Sequence, residues 1–422
     1  MAFKNWENAG GVGDGKAGGQ NWDDGGAPPY VFLASTNGAI VGDNYATDNI
    51  NWDTNVDLAS LTVGVATDGG YSGTITLSSD HSGGGTWGNV TWDAGTLDAA
   101  TYDIIAGAVD LGGGTFGLST GDHAFASLDL AGVTVTGNGT IEVHGDIIYS
   151  AGSNNYTGVI TLAASANVSW NADLNNLLAE LEIDAGVTAT LTAHLRAKKL
   201  LGAEGAVVGD FGVVLYPSGD EFYSLGSIAI SASGYSLSIY ANGANVTNSA
   251  GLANVSRKVY ISTLDNADRT VALPSVDIGA YALSIYAVTV AQPQVVTLRV
   301  STSLTCGDVK LGATTQNGGG LDVRGATVNM GALAAGHALN SGNLFVMDAA
   351  SRVSFSSPAD GDNITVTGGG GIVASGTVQN VTLATGDRLI AWGCPVTSSS
   401  DGVELEQRAL GTGLGIGMAA AA

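Results

Sequence analysis

The residues whose types and spacing could do chemistry are few, and each set stops short of a complete motif. Gly10–Lys16 reads GGVGDGK, the G-x-x-x-x-G-K portion of a phosphate-binding loop. Such a loop needs a preceding strand, a helix whose N-terminal N–H groups meet the phosphates, and a Ser or Thr after the lysine to hold magnesium. Ala17 follows the lysine, no apolar strand precedes, and GGQNW continues the chain. Gly13, Gly15 and Gly18 satisfy G-x-G-x-x-G through the same glycine excess, and Asp14 stands one place too early for a calcium-binding nonapeptide. The chain has no G-x-S-x-G elbow and no H-E-x-x-H pair. His81, His123, His144, His194 and His337 are scattered singly, which predicts turn or surface positions for most of them. Cys306 and Cys394 form no C-x-x-C, so zinc is not expected; a disulfide or two buried free thiols both fit the pair.

Carboxylates are abundant, 38 against 14 Lys and Arg. A carboxylate pair for glycoside cleavage would arise from that number by chance. An enzyme acting on acidic polysaccharide also wants cations beside its acids. None lies between Lys16 and Arg196, so such a groove would have to lie in the second half. Asp43, Asp48 and Asp53, and again Asp93, Asp98 and Asp103, recur at intervals of five, an odd step that places them in turns. Stacked turns would line such acids up as hard oxygen ligands for calcium; plain solvation with salt screening is the competing reading. Arg196, Lys198 and Lys199 read as a solvated strand face. Trp6, Trp22, Trp52 and Trp92, each followed by an acid, read as packing anchors or as sugar-stacking rings. Asn-x-Ser/Thr occurs at Asn89, Asn138, Asn155, Asn167, Asn245, Asn254, Asn363 and Asn380, mostly as Asn-Val-Ser/Thr. An Asn turn entering a β-branched strand writes that string without any glycan. The inventory predicts no catalytic residue and no resident cofactor, with calcium as the one ligand left open.

What must position these side chains is a repetitive β architecture. Hydrophobic residues make up 45% of the 422, enough for a long core, while only 12% are charged. Glycine is abundant at 64 residues and proline scarce at 7, the balance of a chain with many tight turns. A template of apolar, two residues, apolar, one residue, apolar recurs from Leu58, Phe125, Leu178, Leu225, Leu273, Cys306 and Val378. GYSLSIYA, with Tyr235 and Tyr240, returns as AYALSIYA, with Tyr281 and Tyr286, 46 residues later, or two rungs of roughly 23 residues. Period-two alternation follows at Val133–Val135, Ile141–Val143, Leu237–Ile239 and through Val187, Ala189, Leu191, Ala193 and Leu195. One such rung cannot bury its apolar face alone; stacked rungs share one core. The reading predicts that Leu61, Leu128, Leu181, Ile228 and Val276 are buried in one aligned file. Leu174, Leu177, Leu178 and Leu181 also fit a short helix behind Asp173, in competition with the strand template.

The fold class is therefore all-β, a parallel β-helix or β-solenoid with Gly/Asn-rich turns. Residues 1–57 are expected to form a Trp/Gly-rich cap or attachment segment, 58–390 the solenoid body, and 391–422 a C-terminal cap with a small-residue contact tail. Net charge is −24, with 22 acids and 2 bases in residues 1–195, a field that repels nucleic acid and anionic membranes. The N-terminus carries no apolar signal core, and no run of about 18 apolar residues predicts a membrane span. In its template copies and Asn-Gly turns the chain resembles parallel β-helix proteins of bacteriophage virions and bacterial surfaces. That resemblance covers roughly residues 58–390 and carries no family-specific motif, so it assigns no site residue. It implies a virion structural protein, such as a capsid decoration, head-fibre or tail-associated protein, that lacks a signal peptide and assembles as a homotrimer. The expected partner beyond itself is a capsid or other shell protein, with the Leu410–Ala422 tail at a contact. A cell-surface layer, filament or adhesin subunit, and a glycan-binding or glycan-cleaving β-helix protein, are the alternatives.

Overall fold

The computed structural model describes residues 58–64, 72–77, 86–265, 267–287, 295–312 and 318–331, and elsewhere only the backbones of strand segments. The described residues are all-β without a helix, and their parallel strands stack as a β-solenoid of about 11 turns. The chain divides into two compact units, Met1–Ala197 with Glu204–Ala206, and Lys198–Ala203 with Val207–Ala422.

In the first unit one run of strands stacks in parallel from Leu58–Val63 through Trp87–Trp92, Ile105–Leu111, Asp122–Gly137, Ile147–Tyr156 and Ala166–Trp170. Its inner file runs Leu61, Val90, Val109, Leu128, Ile147, Val168 and Leu191, each residue directly paired with the next. From Val90 to Ile147 successive partners lie 19 residues apart, shorter than the expected rung of about 23. The chain closes so tight a rung with glycine. A Cβ on Gly139 would sit on the carbonyl oxygen of Gly121, and one on Gly158 on that of Gly139. Rungs therefore touch backbone to backbone at that corner, which no other residue permits. The template is a strand, a corner and a second strand. Leu58, Leu61 and Val63 are buried while Ala59 is exposed and Ser60 half-buried, so the two intervening residues reset the alternation. Copies of the same pattern start at Trp87 and Ala106, one rung apart, where Trp and Ala in the first apolar position hide them in the sequence.

In the second unit Val213–Leu215, Leu237–Tyr240, Val259–Ser262, Leu283–Ile285 and Val309–Leu311 stack in parallel and in register. The two copies of SIYA are two rungs apart, with Leu237 paired to Val259 and Val259 to Leu283, as the 46-residue interval predicts. A second stack carries Arg269–Asp277, Val295–Thr305 and Thr327–Met330.

Leu61, Leu128, Leu181, Ile228 and Val276 are all at most 3% exposed, but they do not share one file. Leu61 and Leu128 lie in the file above. Leu181 belongs to another file of the first unit, Ile104–His123–Ile141–Ile160–Leu181, through the pairs His123–Ile141, Ile141–Ile160 and Ile160–Leu181 and the Ala124–Ile105 pair beside them. Val276 pairs with Leu252 and Leu304 in the second unit, and Ile228 with Val255. A three-position apolar template fits any corner of a rung, so it marks burial without fixing the corner.

The helix option at residues 173–181 is not taken. Asp173 Oδ1 accepts from the Asn175 backbone N–H at 3.0 Å and from Asn176 Nδ2 at 2.8 Å. That Asx turn feeds directly into the Leu178–Ile183 strand. Leu174, which a helix would bury, is 50% exposed. The period-two reading also fails at Ala193, which is only half-buried. Val168 pairs with Leu191 but Trp170 with Leu195, so the strand bulges across Thr192–His194. Parallel pairing runs on both sides of residue 57, since Asn37–Ile40 pairs with Leu58–Val63 and Ile50–Trp52 with Thr74–Leu77. Near the C-terminus Glu404–Arg408 pairs with Arg388–Trp392.

Candidate functional surface

Gly10–Lys16, His81, His337, Cys394, Asp43, Asp48, Asp53 and the Leu410–Ala422 tail lie outside the described residues. Of Trp6, Trp22 and Trp52 only the backbone strands are described. Trp92 is fully buried, edge-on to Phe116 at 5.4 Å, and Trp87 and Trp170 are at most 1% exposed. These rings pack the core. Cys306 is a buried free thiol whose pKa burial pushes up to about 12, so it is not poised as a nucleophile.

The described histidines do not converge. His144 Nε2 lies 2.7 Å from Glu142 Oε1 at the half-exposed surface, and His194 sits in the bulge. His123 is the exception to the turn or surface positions expected of most histidines, being 2% exposed in an aliphatic file. The Ile104 N–H donates to its Nδ1 at 3.2 Å, which leaves the proton on Nε2, 2.9 Å from the Leu118 carbonyl that accepts it. Burial lowers its pKa, against smaller upward pulls from the Leu118 hydrogen bond, Asp103 and Asp122.

The acids and amides have a role that spacing alone did not reveal. At rung corners they accept backbone N–H groups of neighbouring rungs. Asn89 Oδ1 accepts from Ala108, Asp103 Oδ1 from Asp122, and Asp146 Oδ1 from Asn167, across 19 to 21 residues. In the second unit Asp220 accepts from Thr247, Asn245 from Thr270 and Asp268 from Val295. Asn248, 1% exposed, uses its whole amide. Oδ1 accepts from Phe222 and Tyr223, and Nδ2 donates to the Tyr223 and Ala250 carbonyls, all at 2.7–3.0 Å. Three of these acceptors are sequon asparagines or their bridging partners: Asn89 and Asn245 accept as stated, and Asn167 donates to Asp146. For Asp103 and Asp268 the signal was an acid one rung length before the first residue of a strand.

Asp93, Asp98 and Asp103 are not brought together. Asp98 ends the Thr96–Asp98 strand and accepts from Ala100, while Asp103 serves the next rung. A different acidic file forms instead, because Asp110 pairs directly with Asp129 across adjacent strands. Burial and the Asp110 charge hold Asp93 and Asp129 above the usual carboxylate range. Among the described residues no three His, Cys, Asp or Glu side chains converge as a metal-ligand set.

Several described cations of the second half are engaged within the fold. Arg324 pairs with Asp322 through two contacts of 2.6 and 2.9 Å, and Arg269 with Asp265 at 2.6–2.7 Å. Burial alone would raise both carboxyl groups, but the guanidinium partners hold them below the usual range. Arg257 donates to the Ile230 and Ser231 carbonyls, and Lys258 lies 4.4 Å over the Tyr260 ring. In the first unit Arg196 donates to the Ala172 carbonyl. Tyr216 and Tyr240 stack at 5.2 Å, and Tyr235 and Tyr281 stand 37% and 39% exposed, two rungs apart.

Comparison with protein-family models, with curated proteins and with solved structures finds no match. What the geometry of this surface does chemically is to join rung to rung: amides, carboxylates and guanidinium groups close the hydrogen-bond gaps that corners open in the strand ladders.

Proposed function

We propose that this chain is a non-catalytic structural protein of a tailed-phage particle, a capsid decoration, head-fibre or tail-associated protein. The observation that carries the reading is the 19-residue rung of the first unit, closed by glycines that touch backbone to backbone. A rung that short spends its residues on core and corners and carries no long loop on which a catalytic constellation would be mounted. What stacking such rungs yields is a stiff body that lengthens by about 4.8 Å per rung. The polar side chains described above serve the same end. On this reading the chain assembles as a homotrimer or docks on a capsid or other shell protein, with residues 1–57 and 391–422 as its terminal contact segments. Its charge of −24 favours neither nucleic acid nor anionic membrane as a partner.

Immunogold electron microscopy with antibodies to the recombinant chain tests the proposal. Label at regular positions on particles is the expected result. Label confined to the cell envelope would transfer the chain to the surface-layer or adhesin class. Release of sugars from a polysaccharide panel by the purified chain would transfer it to the glycan-cleaving class.

A further inference from the structure

We propose that His123 is an acid-operated latch, whose protonation releases the corner that joins residues 102–104 to residues 118–124. The imidazole is the one titratable side chain in the file Ile104–His123–Ile141–Ile160–Leu181, and it is 2% exposed. Both ring nitrogens are committed. Nδ1 accepts the Ile104 N–H at 3.2 Å and Nε2–H donates to the Leu118 carbonyl at 2.9 Å. Only the neutral ring fits that pair of contacts. A second ring proton would place N–H against N–H at Ile104, leaving two donors and a charge buried without an acceptor, which is costly. Phe125, whose ring stacks on the imidazole at 6.2 Å, offers no acceptor in the ring plane.

The surroundings supply the alternative state. The charges of Asp103 on the preceding rung and of Asp122, the exposed strand neighbour, both act on the imidazole, and the Asp122 N–H bonds to Asp103 Oδ1 at 2.8 Å. Tyr102 in the preceding corner, Glu142 on the following strand and Tyr156, which the Asp122 charge reaches, are further titratable groups near the corner. An imidazolium that leaves the file meets two carboxylates at the surface. The corner thus has a closed state with a neutral buried ring and an open state with a solvated, charged ring beside Asp103 and Asp122. Protons bind the open state more tightly, because burial lowers the closed-state pKa below 6.5. Closure is therefore complete above the pKa of the exposed ring, about 6.5, and is lost as pH falls below it, until the closed state also protonates. Between those limits the opening equilibrium rises about tenfold for each pH unit.

Native-state hydrogen exchange of the full chain between pH 7.5 and 5, corrected for intrinsic exchange rates, tests the latch. The Ile104 and Ala124 amides, the second of which donates to the Ile104 carbonyl, should lose protection about tenfold per pH unit below about 6.5. In His123→Gln, whose side-chain amide accepts and donates without titrating in this window, that loss should vanish, whereas His144→Gln should keep it. Protection of Ile104 in the native chain that is independent of pH overturns the proposal. So does an equal loss in His123→Gln, which would assign the effect to the surrounding carboxylates. Where His123→Gln does not fold, the native chain decides by comparison of Ile104 with amides of the second unit. A loss shared equally by both units overturns the latch, and a loss confined to the His123 corner supports it.

Discussion

Replacing Asn248 by alanine removes one buried amide and leaves four backbone groups of the second unit without their partner. Two of them, the Phe222 and Tyr223 N–H groups, share Oδ1 at 2.8 and 3.0 Å. The other two, the Tyr223 and Ala250 carbonyls, each accept from Nδ2 at 2.7 Å. Phe222 and Tyr223 are at most 1% exposed, so water reaches their N–H groups only if the corner opens. A buried donor stripped of its acceptor costs about 1–3 kcal/mol, and carbonyls with a second lone pair cost less. Two donors at that rate, with partial relaxation, give a loss of about 3–5 kcal/mol. Urea unfolding monitored by far-ultraviolet circular dichroism measures it as a shift of midpoint at constant slope. Asn248→Asp separates the contributions, because it keeps an acceptor for Phe222 and Tyr223 but loses both donors and buries a charge. Asn245→Ala, whose amide receives one exposed N–H from Thr270, should cost under about 1 kcal/mol. A loss in Asn248→Ala no larger than in Asn245→Ala would refute the claim that buried corner amides hold the rungs.

Two further outcomes follow from the same geometry. Asp110→Asn should stabilise the first unit at neutral pH. Asp93 and Asp129 resist ionisation in the folded state, so their charge opposes folding once pH rises through their raised pKa values, and the gain should shrink toward pH 4 and in high salt; a destabilisation at pH 7 counts against the repulsive file. Gly139→Ala should cost about 1–3 kcal/mol in thermal unfolding, because its Cβ meets the Gly121 carbonyl oxygen; Gly219→Ala, with open space around it, should stay within about 0.5 kcal/mol, and equal effects would deny the backbone-to-backbone corner.

Much of the fold was legible because solenoid rungs repeat their apolar pattern. The SIYA copies gave the true two-rung interval in the second unit, and Leu61, Leu128, Leu181, Ile228 and Val276 are all buried. The 19-residue rungs escaped because Trp87 and Ala106 occupy the first template position, where Leu, Phe, Cys or Val stands elsewhere. Corner assignment escaped as well, since Leu181 and Leu128 carry the same local pattern on different files. At 173–177 the leucine spacing fitted a helix, but Asp173 and Asn176 compete for the backbone with side-chain hydrogen bonds, and that local chemistry won. The polar surface was least legible. Asp103, Asn245 and Asn248 find their partners 19 to 26 residues away, a distance set by rung lengths that vary along the chain. His123 reads as one more scattered histidine until the register places it between Ile104 and Ile141.

The central claim, that this chain is a stoichiometric structural part of a viral particle, is tested most directly by quantitative mass spectrometry across a density gradient of purified particles. The account predicts a fixed copy ratio to the major shell protein in every particle-bearing fraction, retained after a high-salt wash. Recovery of the chain only in soluble or cell-envelope fractions, with none banding with particles, would contradict it.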